Sequence, residues 1–171
     1  VRNRRGQSGL WGYSISGDLP VVLLQIGDVA NIELVRQLVQ AHAYWRMKGL
    51  AVDLVIWNED HAGYRQRLQE QIIDLVASGS SPGPGGQAGN IFVRPVEHIS
   101  AEDRLLFQAI ARAVISDCRG TLAEQLNHQL VTRALALGGT CSGEHGVGLH
   151  KMDFLVTEAG DGAVDLMRTI K

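Results

Sequence analysis

Residues 19–57 read LPVVLLQIGDVANIELVRQLVQAHAYWRMKGLAVDLVIW. Leu19–Ile26 is a short, uninterrupted apolar run rich in β-branched residues and bounded by turn-forming residues, which predicts a buried strand. The residues that follow, up to Gly49, repeat apolar side chains every three or four positions, as one face of a helix does. Leu50–Trp57 is a second apolar run. This order predicts two parallel strands joined by a covering helix.

The same alternation continues along the chain. Tyr64–Ala77 has helical spacing, Asn90–Val96 is a third apolar run, and Leu105–Ile115 again has helical spacing. Pro95 indicates that the third strand lies at an edge or stops there. We therefore predict an α/β fold, in which a β-α-β-α-β-α order forms a three-strand, mostly parallel sheet with flanking helices.

A helical C-terminal tail follows the predicted sheet. Thr121–Leu137 and Ala163–Ile170 predict two helices, with a Gly-rich loop between them. The apolar face of the first of these helices is an i, i+4 row: Leu122, Leu126, Leu130 and Ala134. We divide the chain into an α/β domain, residues 1–120, and the tail, residues 121–171.

Composition argues against several classes of function. Sixteen basic and eighteen acidic residues give a net charge of −2, so we expect no nucleic acid partner. No apolar run reaches the roughly 18 residues that cross a bilayer, and no signal peptide opens the chain, so a membrane is not indicated. Cys118 and Cys141 lack a C-x-x-C spacing and fit a reducing cytoplasm. Because no initiator Met is present, we expect a piece of a longer protein.

Residues 138–148, GGTCSGEHGVG, crowd five glycines around one Glu-His pair. Glycine lets the backbone adopt a positive φ or approach a flat group closely. A helix end explains the first two glycines but gives no reason for the other three, Gly143, Gly146 and Gly148. The carboxylate of Glu144 can bind a metal, and the imidazole of His145 can accept a proton near neutral pH. The pattern therefore indicates a functional loop.

Three other features carry weaker signals. WNEDH, Trp57–His61, leaves the second predicted strand at the end where open α/β sheets place ligands, although a solvated loop explains it as well and is the interpretation we prefer. His42 lies on an apolar helical face, where we expect a hydrogen-bonded core residue. The junction QIGDVANIE, residues 25–33, lacks the G-x-G-x-x-G spacing of a dinucleotide site.

RALALGGTCSGEHGVGLHKMDFLV and the later AVDLMRTIK closely resemble the C-terminal region of FAD-linked oxidases and dehydrogenases of D-2-hydroxy acids, the D-lactate dehydrogenase and glycolate oxidase type. The resemblance covers about residues 125–171. It implies that Glu144 is a ligand of a divalent metal that holds the substrate, and that His145 is the base that removes the hydroxyl proton as hydride goes to the flavin. The glycines implied to lie close to FAD are Gly143, Gly146 and Gly148. His150 stands where the family usually has glycine.

The remainder of the chain resembles a different family. QSGLWGYSISGDLPVVLLQI, IELVRQLVQAHAYWRMKGLAVDLVIWNE and ISAEDRLLFQAIARAVISDCRGTLAEQL are similar to an internal region of cyclic β-1,2-glucan synthases, in the part related to family 94 glycoside phosphorylases. This resemblance covers about residues 4–126 and implies a carbohydrate-active parent, with no site residue to carry over. We expect the join between Gly120 and Gln129.

Each resemblance implies an incomplete active site. The flavin family binds FAD in a large N-terminal domain and supplies metal-binding histidines through an upstream G-H-x-G-D-G-N-x-H motif, and the sequence has neither. We therefore interpret the chain as a chimeric or truncated fragment, inactive alone, that does not bind FAD or the metal by itself.

Two alternatives stay open. In the first, the tail is the C-terminal domain of an FAD-linked oxidoreductase that acts on a 2-hydroxy acid together with a separate FAD-binding chain. In the second, the protein is a non-catalytic glucan-binding module. The few aromatic candidates for stacking on a sugar are Trp11, Tyr13, Trp45 and Trp57.

Overall fold

The computed structural model describes residues 2–60, 65–79, 89–142 and 151–170. Contacts within the chain divide it into two compact units, Val1–Leu122 and Ala123–Lys171. The first unit is built on a parallel sheet, and the second is helical. The assignment of residues 1–120 and 121–171 to two parent families stays a prediction.

Seven elements alternate along the first unit. They are β1 Val21–Ile26, α1 Ile32–Met47, β2 Asp53–Asn58, α2 Arg65–Gly79, β3 Ile91–Pro95, α3 Ala101–Ile110 and β4 Ala111–Ser116. The strands form one sheet in the order β3-β2-β1-β4, and all neighbouring strands are parallel. The predicted α/β class with flanking helices is confirmed. The strand that ends at Pro95 lies at an edge, as the proline indicated.

The predicted number of strands is wrong. A helix was expected over Leu105–Ile115, but α3 ends at Ile110 and the next six residues form β4. The backbone switches at Ala111, where φ is −59° and ψ is 131°. β4 pairs with the side of β1 that would otherwise carry unpaired N–H and C=O groups. Short apolar segments fit the periodicity of a helix as well as that of a strand. Here the pairing with a neighbouring strand favours the strand.

Helix α1 follows its sequence pattern closely. Its buried side chains are Leu34, Val35, Leu38, Val39 and His42. The helix ends at Met47, and Gly49 just beyond it has a φ of +75°, which glycine adopts without a Cβ penalty. Nε2 of His42 lies 2.9 Å from the carbonyl oxygen of Val52, and burial lowers the pKa of this imidazole. The interpretation of His42 as a core residue is confirmed.

Apolar side chains cover both faces of the sheet. The core on the side of α1 and α2 includes Leu24, Ile26, Leu38, Ile56 and Leu68. The core on the side of α3 and of the 3-10 segment Gln7–Tyr13 includes Leu10, Leu23, Val55, Trp57 and Phe107. Strand β2 is buried at all six positions, as expected for a parallel strand covered on both faces.

Three helices follow: α4 Leu122–Ala136, α5 Met152–Ala159 and α6 Asp161–Ile170. The first and last correspond to predicted helices, whereas α5 was not predicted. The predicted apolar face of α4 is wrong, because Leu130 is 70% exposed while Val131 is 4% exposed. The buried side chains of α4 are Gln125 and Val131, and the ring of the exposed His128 has its centroid 5.1 Å from that of Phe154 in α5.

Among the helices of the described ranges, none is both long and apolar enough to cross a membrane.

Candidate functional site

The residues that the resemblance assigns to chemistry lie outside the described part of the chain. They are Gly143, Glu144, His145, Gly146 and Gly148, all within residues 143–150, and their roles stay predictions. The residues on either side are described, namely Thr140–Ser142 before this segment and α5 after it. These flanking residues determine how the chain enters and leaves the segment.

The chain turns sharply after α4. Gly138 has a φ of +77°, and its N–H donates to the carbonyl oxygen of Leu135 at 3.0 Å. The N–H of Gly139 donates to the carbonyl oxygen of Ala134 at 2.8 Å, which completes a Schellman-type helix end. A Cβ added at Gly139 would lie 2.9 Å from that same oxygen. The first two glycines of the motif therefore have a structural role, as the sequence predicts.

Glu158, in the last turn of α5, binds the residues that precede the segment. Its Oε2 accepts the backbone N–H of Cys141 at 2.7 Å, and its Oε1 accepts the hydroxyl of Thr140. Because the Thr140 hydroxyl has only one hydrogen, Ser142 Oγ, 2.8 Å away, donates to Thr140 Oγ1, as does the Ser142 N–H at 3.1 Å. We call these four residues, Thr140, Cys141, Ser142 and Glu158, the Glu158 clasp.

The clasp also shifts the pKa values of its two titratable groups, Glu158 and Cys141. Hydrogen bonds from the thiol of Cys141 and the hydroxyl of Thr140 hold the pKa of Glu158 below its ordinary value. The same carboxylate, together with burial, raises the pKa of the Cys141 thiol. Cys141 is only 1% exposed. It is therefore a protonated hydrogen-bond donor and an unreactive thiol.

Sequence reasoning missed Glu158. Its partners precede it by 17 or 18 positions, so no local spacing connects them. One signal was available, because a carboxylate in the last turn of a helix faces the negative end of the helix dipole. Such a charge needs compensating donors, and the Thr140 and Cys141 groups supply them.

A cleft of about 960 Å³ lies between α4 and α5. Its lining includes Asn127, His128 and Leu135 of α4, Phe154, Thr157 and Glu158 of α5, and the glycines at the end of α4. The rings of His128 and Phe154 have centroids 5.1 Å apart. The volume and the mixture of apolar and polar lining are typical of small-molecule sites, which span about 300–1,000 Å³.

The carboxyl end of the sheet does not fit the pyrophosphate of FAD. Open α/β sheets bind nucleotides where the strand order reverses, which here is between β1 and β4. The N–H groups of Gly27 and Asp28 lie at that point, and each donates to Oδ2 of Asp117 at 2.9 Å. A phosphate would require these donors, and the Asp117 carboxylate already occupies them.

The side chains that leave β2 at the same edge take part in local structure. Glu59 Oε1 accepts from Gln25 Nε2 at 3.1 Å, and Asn58 Nδ2 donates to Gln69 Oε1 at 3.0 Å. The preferred interpretation of WNEDH as a solvated loop is wrong for its first two residues, because Trp57 and Asn58 are buried in β2, and His61 lies outside the described residues. Within the described ranges, no group of three or more His, Cys, Asp or Glu side chains could hold a metal ion.

Comparison with known proteins finds similarity to two kinds of enzyme. The chain is 32% identical over 124 residues to the cyclic beta-(1,2)-glucan synthase NdvB of Rhizobium meliloti (strain 1021), which is 70% of this chain and 4% of that protein. It is 55% identical over 47 residues to D-lactate dehydrogenase [cytochrome] 1, mitochondrial, of Saccharomyces cerevisiae (strain ATCC 204508 / S288c), which is 28% of this chain and 8% of the relative. The Arabidopsis thaliana D-lactate dehydrogenase [cytochrome], mitochondrial, is 53% identical over 49 residues, 29% of this chain and 9% of the relative.

Both family resemblances predicted from the sequence are therefore confirmed. The matched part of the chain spans less than a tenth of the length of each relative. The family model described as FAD linked oxidases, C-terminal domain, matches residues 32–171. That match extends from the start of α1 to the end of the chain and includes most of the α/β unit. The chain belongs to the family of FAD linked oxidases, C-terminal domain.

Proposed function

We propose that the unit Ala123–Lys171 is the motif-bearing end of an FAD-dependent D-2-hydroxy-acid dehydrogenase. In this proposal His145 accepts the hydroxyl proton of the substrate, and Glu144 is one ligand of a divalent metal. Identities of 47% to 55% with D-lactate dehydrogenases over 47 to 49 residues support the assignment. The cleft between α4 and α5 offers a place for a small polar substrate.

The strongest support for this proposal is that the helical unit and the resemblance to FAD-linked oxidases begin at nearly the same residue. The helical unit begins at Ala123, and the resemblance to FAD-linked oxidases begins at about residue 125. The residues that flank the Glu-His pair therefore belong to one compact unit, and Glu158 joins the residues before the pair to the helix after it. A segment that retains its own packing can retain its chemistry.

FAD is bound outside this chain in our proposal. The Asp117 carboxylate fills the donors that a pyrophosphate would need at the carboxyl end of the sheet. An FAD-binding segment of another polypeptide, or of a longer form of this one, completes the enzyme. We accordingly expect the isolated chain to be inactive toward D-2-hydroxy acids.

The two-part origin of the chain is also a proposal. The glucan synthase similarity covers 70% of the chain and the S. cerevisiae similarity covers 28% of it. The boundary between the two compact units lies within the expected join, Gly120–Gln129. A sequencing read through the codons of this join, extended on both sides, tests the proposal: one continuous frame supports it, and a read that stays within one parent contradicts it.

A second candidate function is glucan binding by the α/β unit. The similarity to the glucan synthase favours it, as does Trp11, which is 64% exposed. Exposed aromatic rings stack on sugar faces, whereas Trp57 is buried in the core. Calorimetry of the full chain against β-1,2-glucan oligosaccharides tests this candidate. Heat of binding that is lost in Trp11→Ala supports it, and absence of heat with millimolar ligand removes it.

The dehydrogenase proposal is tested by reconstitution. The full chain is assayed for D-lactate-dependent dye reduction, alone and with an FAD-loaded S. cerevisiae D-lactate dehydrogenase truncated to remove the matching segment. In a second form, residues 125–171 replace that segment within the S. cerevisiae enzyme. We expect activity only in the completed enzymes and its loss in His145→Ala and Glu144→Gln.

The matched control is Asp165→Asn, which removes an exposed carboxylate from α6 and lies outside the lining of the cleft. This variant should retain activity. If the covalently completed enzyme binds FAD but shows no turnover with D-lactate, glycolate or any other D-2-hydroxy acid tested, the proposal is wrong.

A further inference from the structure

We infer that Gln7, Trp11 and Asp18 form a binding site for one β-linked glucose residue on the surface of the α/β unit. In this site the indole ring of Trp11 stacks on the sugar ring, and the carboxylate of Asp18 accepts hydrogen bonds from sugar hydroxyls. We call these three residues the Trp11 platform. The choice of a glucan as ligand rests on the second candidate function, glucan binding, whereas the arrangement of the three side chains does not depend on it.

The Trp11 ring is exposed although its own segment packs on the core. In the 3-10 segment Gln7–Tyr13, the neighbouring Leu10 is 1% exposed, whereas Trp11 is 64% exposed. The other two tryptophans differ, because Trp57 is buried in β2 and Trp45 is half-buried in α1. Leu10 therefore anchors the segment, and the ring of Trp11 is available to a ligand.

A hydrogen bond fixes one edge of this ring. Nε1 of Trp11 donates to the carbonyl oxygen of Ser16 at 3.3 Å. The chain turns back on itself to form this bond, with a φ of 63° at Ser14 and of +80° at Gly17. Because the bond holds only the edge of the indole, the exposed surface of the ring stays open to solvent. A ring that is already oriented loses little entropy when a ligand stacks on it.

The segment that carries Trp11 is held on the sheet and on α3. The hydroxyl of Tyr13 donates to Oδ2 of Asp103 in α3 at 2.9 Å, and its carbonyl oxygen accepts from Arg94 in β3 at 2.7 Å. The rings of Tyr13 and Phe107 pack edge to face, with centroids 5.4 Å apart. The platform is therefore built on a rigid part of the fold.

Polar side chains lie beside the indole. Nε2 of Gln7 donates to the same Ser16 carbonyl oxygen at 2.8 Å and to Oδ1 of Asp18 at 3.0 Å. Three hydrogen bonds thus connect the Trp11 ring, through Ser16 and Gln7, to the carboxylate of Asp18. A carboxylate has about four acceptor positions, so the exposed Asp18 keeps capacity for hydroxyl donors.

These groups match the chemistry of a β-glucose residue. All its ring substituents are equatorial, so both faces of the sugar ring present axial C–H groups and are apolar. Such a face packs on an aromatic ring. The hydroxyls project from the rim of the sugar, where they can donate charge-assisted hydrogen bonds to the Asp18 carboxylate. The platform therefore offers one group for each part of the sugar.

The first test follows the indole N–H signals of the full chain, labelled with nitrogen-15. The three tryptophans give three signals, and Trp11→Phe identifies the signal of Trp11. Titration with a β-1,2-linked glucotriose should shift the Trp11 signal and leave that of the buried Trp57 in place. A shift confined to Trp45 or Trp57 would overturn the platform.

Calorimetry with the same glucotriose separates the roles of the ring and the carboxylate. Trp11→Ala should raise the dissociation constant at least about tenfold, and Trp11→Phe, which keeps an aromatic ring, should raise it less. Asp18→Asn should raise it about three- to tenfold, because the acceptor loses its charge. Tyr44→Ala is the matched control, since Tyr44 is an aromatic residue of the same unit that is 53% exposed, and this variant should bind as the wild type does.

The outcomes distinguish the platform from glucan binding as such. If the chain binds the glucotriose and Asp18→Asn and Trp11→Ala bind it as tightly as the wild type, the platform is wrong and glucan binding stands. An equal loss in Tyr44→Ala would also contradict the platform. Asp18 is exposed, so Asp18→Asn should keep the thermal midpoint of the wild type and tests the site even if Trp11→Ala does not fold. Neither a signal shift nor heat with millimolar glucotriose would reject glucan binding and the platform together.

Discussion

The backbone N–H of Cys141 donates to the carboxylate of Glu158 across 2.7 Å, and this bond joins residues 17 positions apart. It connects the turn after α4 with the last turn of α5. The carboxylate of Glu158 therefore joins the turn after α4 to α5. A substitution at Glu158 should weaken this connection.

The end of α4 should depend on the conformation of Gly138. Because φ is +77° there, Gly138→Ala should lower the free energy of unfolding by about 1 kcal/mol. Gly162→Ala is the control, since Gly162 lies in α6 and a Cβ added there meets no heavy atom within 4 Å. That change should be neutral or should stabilise the chain by up to about 0.5 kcal/mol. Thermal denaturation measures both, and a larger loss from Gly162→Ala would contradict the assigned helix end.

The buried face of α4 can be tested by a pair of adjacent residues. Val131→Ala should cost about 1.5 kcal/mol, because two methyl groups lose their burial. Leu130→Ala, at an exposed position, should cost less than about 0.5 kcal/mol. Urea denaturation measures the free energy of unfolding of both variants. If the i, i+4 row expected from the sequence were buried instead, Leu130→Ala would cost more than Val131→Ala.

Asp103 should make the stability of the α/β unit depend on pH. Burial alone would raise the pKa of Asp103, but hydrogen bonds from Ser100 and Tyr13 and the charge of Arg5 outweigh it and hold the pKa below its ordinary value. The folded-state pKa is thus below the unfolded one. The stabilisation is present above the unfolded pKa and is lost as pH falls through the folded pKa, that is, below about pH 4.

Asp103→Asn measures this contribution. At neutral pH it should lower the free energy of unfolding by about 1–3 kcal/mol, because Asp103 is buried among its partners. The difference from the wild type should narrow as pH falls below about 4. Glu33→Gln is the control, since the exposed pair of Glu33 and Arg36 should contribute less than about 0.5 kcal/mol. A loss from Asp103→Asn that stays constant down to about pH 2 would contradict the assigned pKa direction.

Patterns of neighbouring residues correctly predicted the strands, helices and caps that depend on local interactions. The apolar runs at β1, β2 and β3, the helical spacing of α1 and the glycine at its end all appear in the structure. The cap of α3 is present too, with Ser100 Oγ accepting the Asp103 N–H at 3.1 Å. In each case the deciding interactions are close in sequence.

Contacts between distant residues could not be predicted in the same way. β4 forms because β1 has an edge that is otherwise unpaired, and the residues from Ala111 to Ser116 alone do not predict this pairing. Whether Leu130 or Val131 is buried depends on what packs against α4, and the spacing of apolar residues within α4 does not predict that. The partners of Glu158 lie in a different segment of the chain. The Glu-His pair was found because its motif is contiguous, but its placement stays a prediction.

We propose that the C-terminal unit retains the chemistry of a D-2-hydroxy-acid dehydrogenase. Its most direct test is the bleaching of flavin absorbance by D-lactate, without oxygen, in the S. cerevisiae enzyme whose matching segment is replaced by residues 125–171. We predict that the flavin is reduced by D-lactate, that L-lactate has no such effect, and that His145→Ala abolishes the reduction. An enzyme that holds FAD but is not reduced by D-lactate, or one in which His145→Ala reduces the flavin as fast as its parent, would contradict this account.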